Sequence, residues 1–147
     1  MLGIGGNAKL DEFRAAMGIC NLRHIEEYIA SRKVVTERYN ERLGKVRGIR
    51  VGVPQENVTA NYAYYPVYFD EQVFGKTRDI VFNELAAWDI HARKYFYPAV
   101  NEMTCYKGEF PHNTPIAHNV SNHILTLPMS EGLSLTDVDR ICDIILR

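Results

Sequence analysis

The chain reads as an α+β domain, with a long N-terminal helix followed by helices packed on a small, mostly antiparallel sheet. Three observations predict this. Apolar residues recur at spacings of mostly three and four from Leu10 to Leu43. Short runs rich in valine, isoleucine and tyrosine follow, separated by turn residues. A closing stripe, Val138, Ile141, Ile144 and Ile145, returns to the helical period.

The first apolar series runs through Leu10, Phe13, Met17, Cys20, Ile25, Tyr28, Ile29, Val35, Tyr39 and Leu43, which predicts one long helix or two bent near Asn21. Gly44 and Gly48 mark its end, with Lys45 and Arg47 placed to suit a helix C-terminus. Residues 49–53 form a short extended piece stopped by Pro54, and Asn61 to Phe69 reads as a strand. Its tyrosines, Tyr62, Tyr64, Tyr65 and Tyr68, fit a half-buried sheet face or a ligand-stacking wall. Thr77 suits the N-cap of a helix reaching Trp88, with Ile80, Val81, Leu85 and Trp88 on its apolar face. Ile90 to Tyr97 predicts another strand, ended by Pro98, and residues 99–114 an irregular loop. A short helix from Pro115 to His123 feeds a strand from Ile124 to Leu127. Ser134 and Asp137 then supply a capping-box variant for the last helix. Residues 1–48 are thus a glycine-rich loop and linking helix, and residues 49–147 a small α+β domain, together one structural unit.

Composition narrows the function. With 17 basic against 18 acidic residues the chain lacks the basic excess of a nucleic-acid binder, so no nucleic-acid partner is expected. No stretch approaches a membrane span, and the first residues show neither the basic nor the apolar region of a secretion signal. Cys20, Cys105 and Cys142 have no short paired spacing, which suits free thiols, and a cytoplasmic setting is expected. His118 and His123 lie five apart and miss the spacing that puts two ligands on one helix face, so no metal site is expected.

The residues name no catalytic group. No G-x-S-x-G elbow is present, no cysteine carries a nucleophile signature, and no lysine is marked as a desolvated amine. The opening Gly3-Ile4-Gly5-Gly6-Asn7-Ala8-Lys9 does run into a helix, where unpaired backbone N–H groups can hold an anion. Asn7 suits its N-cap, with Asp11 and Glu12 in the first turn. A capped helix behind a loose terminus and an anion site both fit this segment. It is not a P-loop, because no Gly-Lys-Ser/Thr closes it.

Three segments in order, Gly5 to Gly18, Arg93-Lys94-Tyr95-Phe96-Tyr97-Pro98 and Ile124 to Ser134, span nearly the whole chain. Together they resemble the C-terminal part of the DegT/DnrJ/EryC1/StrS family, pyridoxal-phosphate-dependent aminotransferases acting on nucleotide-linked keto-sugars. The resemblance implies fold type I, with a large cofactor domain preceding a small C-terminal one, and a homodimer with active sites at the interface. In the family the cofactor-holding lysine lies upstream of the Gly-x-Asn motif. The expectation is therefore a fragment without transaminase activity that binds no pyridoxal phosphate alone. Asn7 matches the asparagine that reaches the cofactor phosphate of the neighbouring subunit. Lys9 matches a basic position that either adds charge near that phosphate or lies on the surface. Gly6 stands where family members carry a larger apolar residue.

The segment from Arg93 to Tyr97 resembles one bordering the sugar-nucleotide pocket. By that resemblance Arg93 pairs with a diphosphate, and Tyr95 or Tyr97 packs on a base or sugar. A plain strand with core residues is the alternative. Ala99 follows the proline where many members place a histidine soon after, so that contact does not carry over. A competing reading is a stand-alone dimerisation or interaction module that has lost catalysis. Either way, apolar residues between Phe13 and Tyr28 predict self-association.

Overall fold

The structure is a computed structural model that describes residues 9–53, 55–106, 113–130 and 132–147. The leading helical series divides into α1 (Glu12–Leu22) and α2 (Ile25–Leu43), broken at Arg23 and His24. The N-cap of α1 is Asp11, whose side chain accepts a 2.9 Å hydrogen bond from the Arg14 amide. The helix thus begins at Glu12, two residues after the apolar series opens at Leu10, and Asn7, the expected N-cap, lies outside the described residues. No residue of α1 is buried, and Phe13 is 89% exposed. The core begins only in the second half of α2, at Val35, Tyr39 and Leu43, one face at i, i+4 and i+8.

Three antiparallel strands, β1 (Ile49–Val51), β2 (Tyr65–Phe69) and β3 (Ile124–Leu127), form a sheet in the order β1-β2-β3. Ile49 pairs with Phe69, and Tyr65 with Leu127. Alternation along β2 buries Tyr65, Val67 and Phe69 and leaves Pro66 and Tyr68 half-buried on the other face. Gly48, at φ +84, sets the entry to β1, where a Cβ would lie 2.5 Å from the Phe74 amide nitrogen. After β2 comes a one-turn helix, α3 (Glu71–Phe74), too short to leave a period in the sequence.

Helix α4 (Arg78–Ala86) starts at Thr77, whose hydroxyl accepts from the Ile80 amide at 3.1 Å. Val81 and Leu85 are its buried apolar residues. Ile80 and Trp88 are 46% and 49% exposed, against expectation. Ile80 sits one residue, about 100°, round from Val81, and Trp88 lies past the helix end at Ala86. The Arg147 guanidinium lies over the Trp88 ring. Two short 3-10 turns, Val100–Glu102 and Thr104–Tyr106, occupy the start of the long loop.

Helix α5 (Pro115–His123) then leads into β3 with the expected bounds. Helix α6 (Leu135–Leu146) begins at a complete capping box between Ser134 and Asp137 and buries Val138, Ile141, Cys142, Ile144 and Ile145. Helix α6 packs beside α2, and charged groups tie the pair at its outer edge. Arg38 grips Asp139 through two hydrogen bonds of 2.9 and 2.8 Å, and Arg42 reaches the same carboxylate at 2.7 Å. No helix among the described residues is long and apolar enough to cross a membrane.

Candidate functional site

The expected strand from Ile90 to Tyr97 reduces to one bridge. The Arg93 amide donates to the Thr126 carbonyl at 2.9 Å, and the Thr126 amide returns to the Arg93 carbonyl at 2.8 Å. The next free amide in register, that of Tyr95, instead turns back onto the same Arg93 carbonyl at 3.1 Å. The ladder therefore stops after one residue, and the chain leaves the sheet edge. The Tyr95–Phe96 and Tyr97–Pro98 peptide bonds are cis.

Where this segment departs from β3 it borders an open cleft of about 340 Å³. Tyr64, His91, Arg93 and Tyr95 line one part, and Met129 and Ser130, just past β3, line another. The Tyr64 and Tyr95 rings meet edge to face, with centroids 5.7 Å apart and planes at 78°. The Arg93 guanidinium donates to the Tyr95 hydroxyl, a contact that raises the already high basicity of the arginine. Its side-chain partner is a tyrosine hydroxyl rather than a carboxylate, and the exposed cation retains donors for an incoming anion. His91 is exposed and lies 3.1 Å from the Asp89 carboxylate.

The floor is anchored in the core. The buried Tyr39 hydroxyl donates to the Pro128 carbonyl at 3.2 Å, and Pro128 itself lines the cleft. Tyr39 stacks on Tyr65 at 4.7 Å, and the Tyr65 hydroxyl donates to the Asn40 side chain at 2.7 Å. Burial pushes both phenols well above their ordinary value.

The structure brings Arg93 and Tyr95 into one cleft but not Tyr97, whose ring lies 4.8 Å from the guanidinium of Arg78 on α4. Asn7 lies outside the described residues, and Lys9 is exposed. His91 is a cleft residue that sequence reasoning did not single out, and Tyr64 is one it offered only within a ligand-stacking wall, the alternative to a half-buried sheet face. Tyr64 stood within the tyrosine cluster, but nothing in the sequence separates it, exposed before β2, from Tyr65, buried within it. The arrangement offers a cation and two aromatic faces, which suits an anionic, ring-bearing ligand.

The fold matches one part of known aminotransferases. Over 97% of this chain it superposes, with a TM-score of 0.89 and 30% identity, on 38% of DesI, solved in the presence of its TDP-sugar product. Residues 1–146 match the DegT/DnrJ/EryC1/StrS aminotransferase family, and the chain belongs to that family. It is 34% identical over 145 residues to dTDP-4-amino-4,6-dideoxy-D-glucose transaminase of Escherichia coli, covering 97% of this chain and 39% of that protein. It is 30% identical over 140 residues to GDP-perosamine synthase of Caulobacter vibrioides, covering 94% of this chain and 37% of that protein. The chain therefore spans less than two fifths of the length of these relatives.

The family uses pyridoxal 5'-phosphate. A lysine that holds this cofactor needs an apolar or cationic setting that leaves its amine free. Lys76 is paired with Glu84 and Lys94 with Asp79, at 2.8 and 2.7 Å. Lys33 lies near Glu37, while Lys9 and Lys45 are exposed. The described residues thus do not fit a cofactor cradle, and no step through the cofactor is derived from them.

Proposed function

We propose that this chain is the small C-terminal domain, with its linking helix, of a pyridoxal-phosphate-dependent nucleotide-sugar aminotransferase. The division at residues 48 and 49 separates the linking part from the domain proper. The observation that carries this reading is the family match across the chain, joined to a cleft in which Arg93 and Tyr95 stand together. Arg93 pairs with the diphosphate of a nucleotide-linked sugar, and Tyr95 packs on its base or sugar. Tyr97 supports that segment from the other side. Asn7, with Lys9 beside it, contacts the cofactor phosphate of a neighbouring subunit. The cofactor's amine partner belongs to the part of the enzyme outside these residues, so the chain alone does not transaminate. It works in the cytoplasm, in keeping with three unpaired thiols.

The exposed apolar face of α1 supports burial against the rest of the enzyme and its dimer mate. The same face also favours the second reading, a free-standing interaction module without catalysis. A chimera separates the two. This chain replaces the matching 145-residue stretch of the Escherichia coli relative. Transaminase activity in the chimera is expected, with KM for the nucleotide sugar raised about tenfold or more by Arg93→Ala, the cost of one charge-assisted contact. A folded, dimeric but inactive chimera overturns the proposal. An unchanged KM removes Arg93 from the site.

A further inference from the structure

Arg78 is 3% exposed, an unusual place for a guanidinium. It occupies the first turn of α4, and its Nη1 donates to the Ser121 carbonyl at 2.9 Å and the Ile124 carbonyl at 3.3 Å. It therefore binds the end of α5 where the chain turns into β3. Its flat face lies against the Tyr97 ring. The neighbouring Asp79 carboxylate holds Lys94 at 2.7 Å, and the Lys94 ammonium in turn keeps the Asp79 carboxyl below its ordinary value. Lys94 also lies over the ring of Phe82, one turn further along α4.

The segment from 93 to 97 thus has two sides. Arg93 and Tyr95 face the cleft, while Lys94 and Tyr97 are gripped by α4. Only one residue of the segment is fixed by the sheet ladder. Beyond Arg93 the described backbone tie is the turn from Tyr95 back to Arg93, so side chains supply the remaining hold, the Tyr64 ring against Tyr95 on the cleft side and the α4 groups behind Lys94 and Tyr97.

We propose that Arg78 and Asp79 are positioning residues for the nucleotide-sugar cleft, fixing Arg93 and Tyr95 by holding Tyr97 and Lys94 from behind. This rests on the reading of the cleft given above, but the positioning itself does not. The test uses the 147-residue chain, 15N-labelled, with Asp79→Asn, Tyr97→Leu and Arg78→Lys. The control is Glu84→Gln, which breaks the Lys76 ion pair on the same helix without touching the segment. Asp79 and Tyr97 are exposed, so their variants are expected to keep the fold; Asp79→Asn also weakens the 2.6 Å contact of Asp79 with the Nε of buried Arg78, which Tyr97→Leu leaves in place. Arg78→Lys keeps a donor for the Ser121 carbonyl but no planar face for Tyr97.

Backbone order parameters of residues 93–97 are expected to fall in Asp79→Asn and Tyr97→Leu, with those of β3 and α6 unchanged and the control like the parent. Segments as ordered in both variants as in the parent overturn the proposal, whatever Arg78→Lys does. A second measurement titrates dTDP and follows the Arg93 and Tyr95 resonances. Asp79→Asn is expected to weaken binding about tenfold, the loss of one well-aligned charged contact. Resonances of Arg93 and Tyr95 that ignore dTDP in the parent count against the cleft reading alone, and the order parameters still decide the positioning.

Discussion

The core beneath the cleft contains a thiol whose ionisation is coupled to folding. Cys142 on α6 is fully buried, and that burial pushes its pKa from an ordinary 9.0 to about 11, with the guanidiniums of Arg42 and Arg38 only partly opposing. A group whose folded pKa is raised favours the folded state while protonated. Its contribution is complete below the unfolded value and is lost as pH climbs to the folded one. Between neutrality and pH 10 the thiol alone therefore removes about 1.4 kcal/mol, and about 2.7 kcal/mol once pH passes the folded value. Tyr39 and Tyr65 are raised from 10.0 and add roughly 0.4 kcal/mol each at pH 10. Cys142→Ala is expected to cost about 1 kcal/mol at pH 7, the worth of one buried methylene-sized group. At pH 10 the same variant should be as stable as the parent or slightly more so. Urea unfolding followed by circular dichroism at pH 7, 9 and 10 gives the comparison, with a reductant present for the exposed Cys20 and Cys105. Stability curves that fall in parallel over this range refute the linkage.

Tyr39→Phe removes the donor to the Pro128 carbonyl and is expected to lower stability by about 1 kcal/mol, read as the urea midpoint; an unchanged midpoint contradicts it. Asp139 is held below the ordinary carboxylate range chiefly by Arg38, so its contribution is present above the unfolded pKa and lost as pH falls through the folded one. The stability gap between the parent and Asp139→Asn should be widest at neutral pH and close toward pH 3, and a constant gap in acid unfolding curves contradicts this. Phe13→Glu with Met17→Glu should convert a concentration-dependent associating species into a 16.9 kDa monomer in sedimentation equilibrium; a parent chain that is monomeric at every concentration removes the α1 interface.

Local chemistry made some elements legible and tertiary competition hid others. Pro115 and the Ser134–Asp137 box are punctuation written in single residues, and α5 and α6 start where those marks stand. Thr77 likewise caps α4. The face of α4 was misjudged because an arginine, Arg78, takes a buried position by satisfying carbonyls of another element, which no periodicity records. The strand expected at 90–97 failed for a related reason. Its composition suits a sheet, but the Tyr95 amide is spent on a turn and the side chains on α4. In the site, Arg93 and Tyr95 were found through a motif. Tyr64 and His91 were not, since they meet only when the approach to β2 and the edge of β3 fold together.

The two proposed roles place different demands on the molecule, and the cleft separates them. An interaction module needs the apolar face of α1, where Phe13, Leu22 and Met17 are largely exposed. Burying each such side chain yields about 1.5–3 kcal/mol, which favours association. Such a module has no use for a guanidinium held open beside two aromatic rings. Arg38 and Arg42 are paired with carboxylates between α2 and α6. Arg93 is instead tied to a phenol, and the segment carrying it is braced by a buried arginine and an ion pair on α4. Bracing of that kind costs side-chain entropy and contributes no apolar burial at the cleft. It makes physical sense where an anion must be met in a fixed geometry, and so it favours the substrate-binding role over the module.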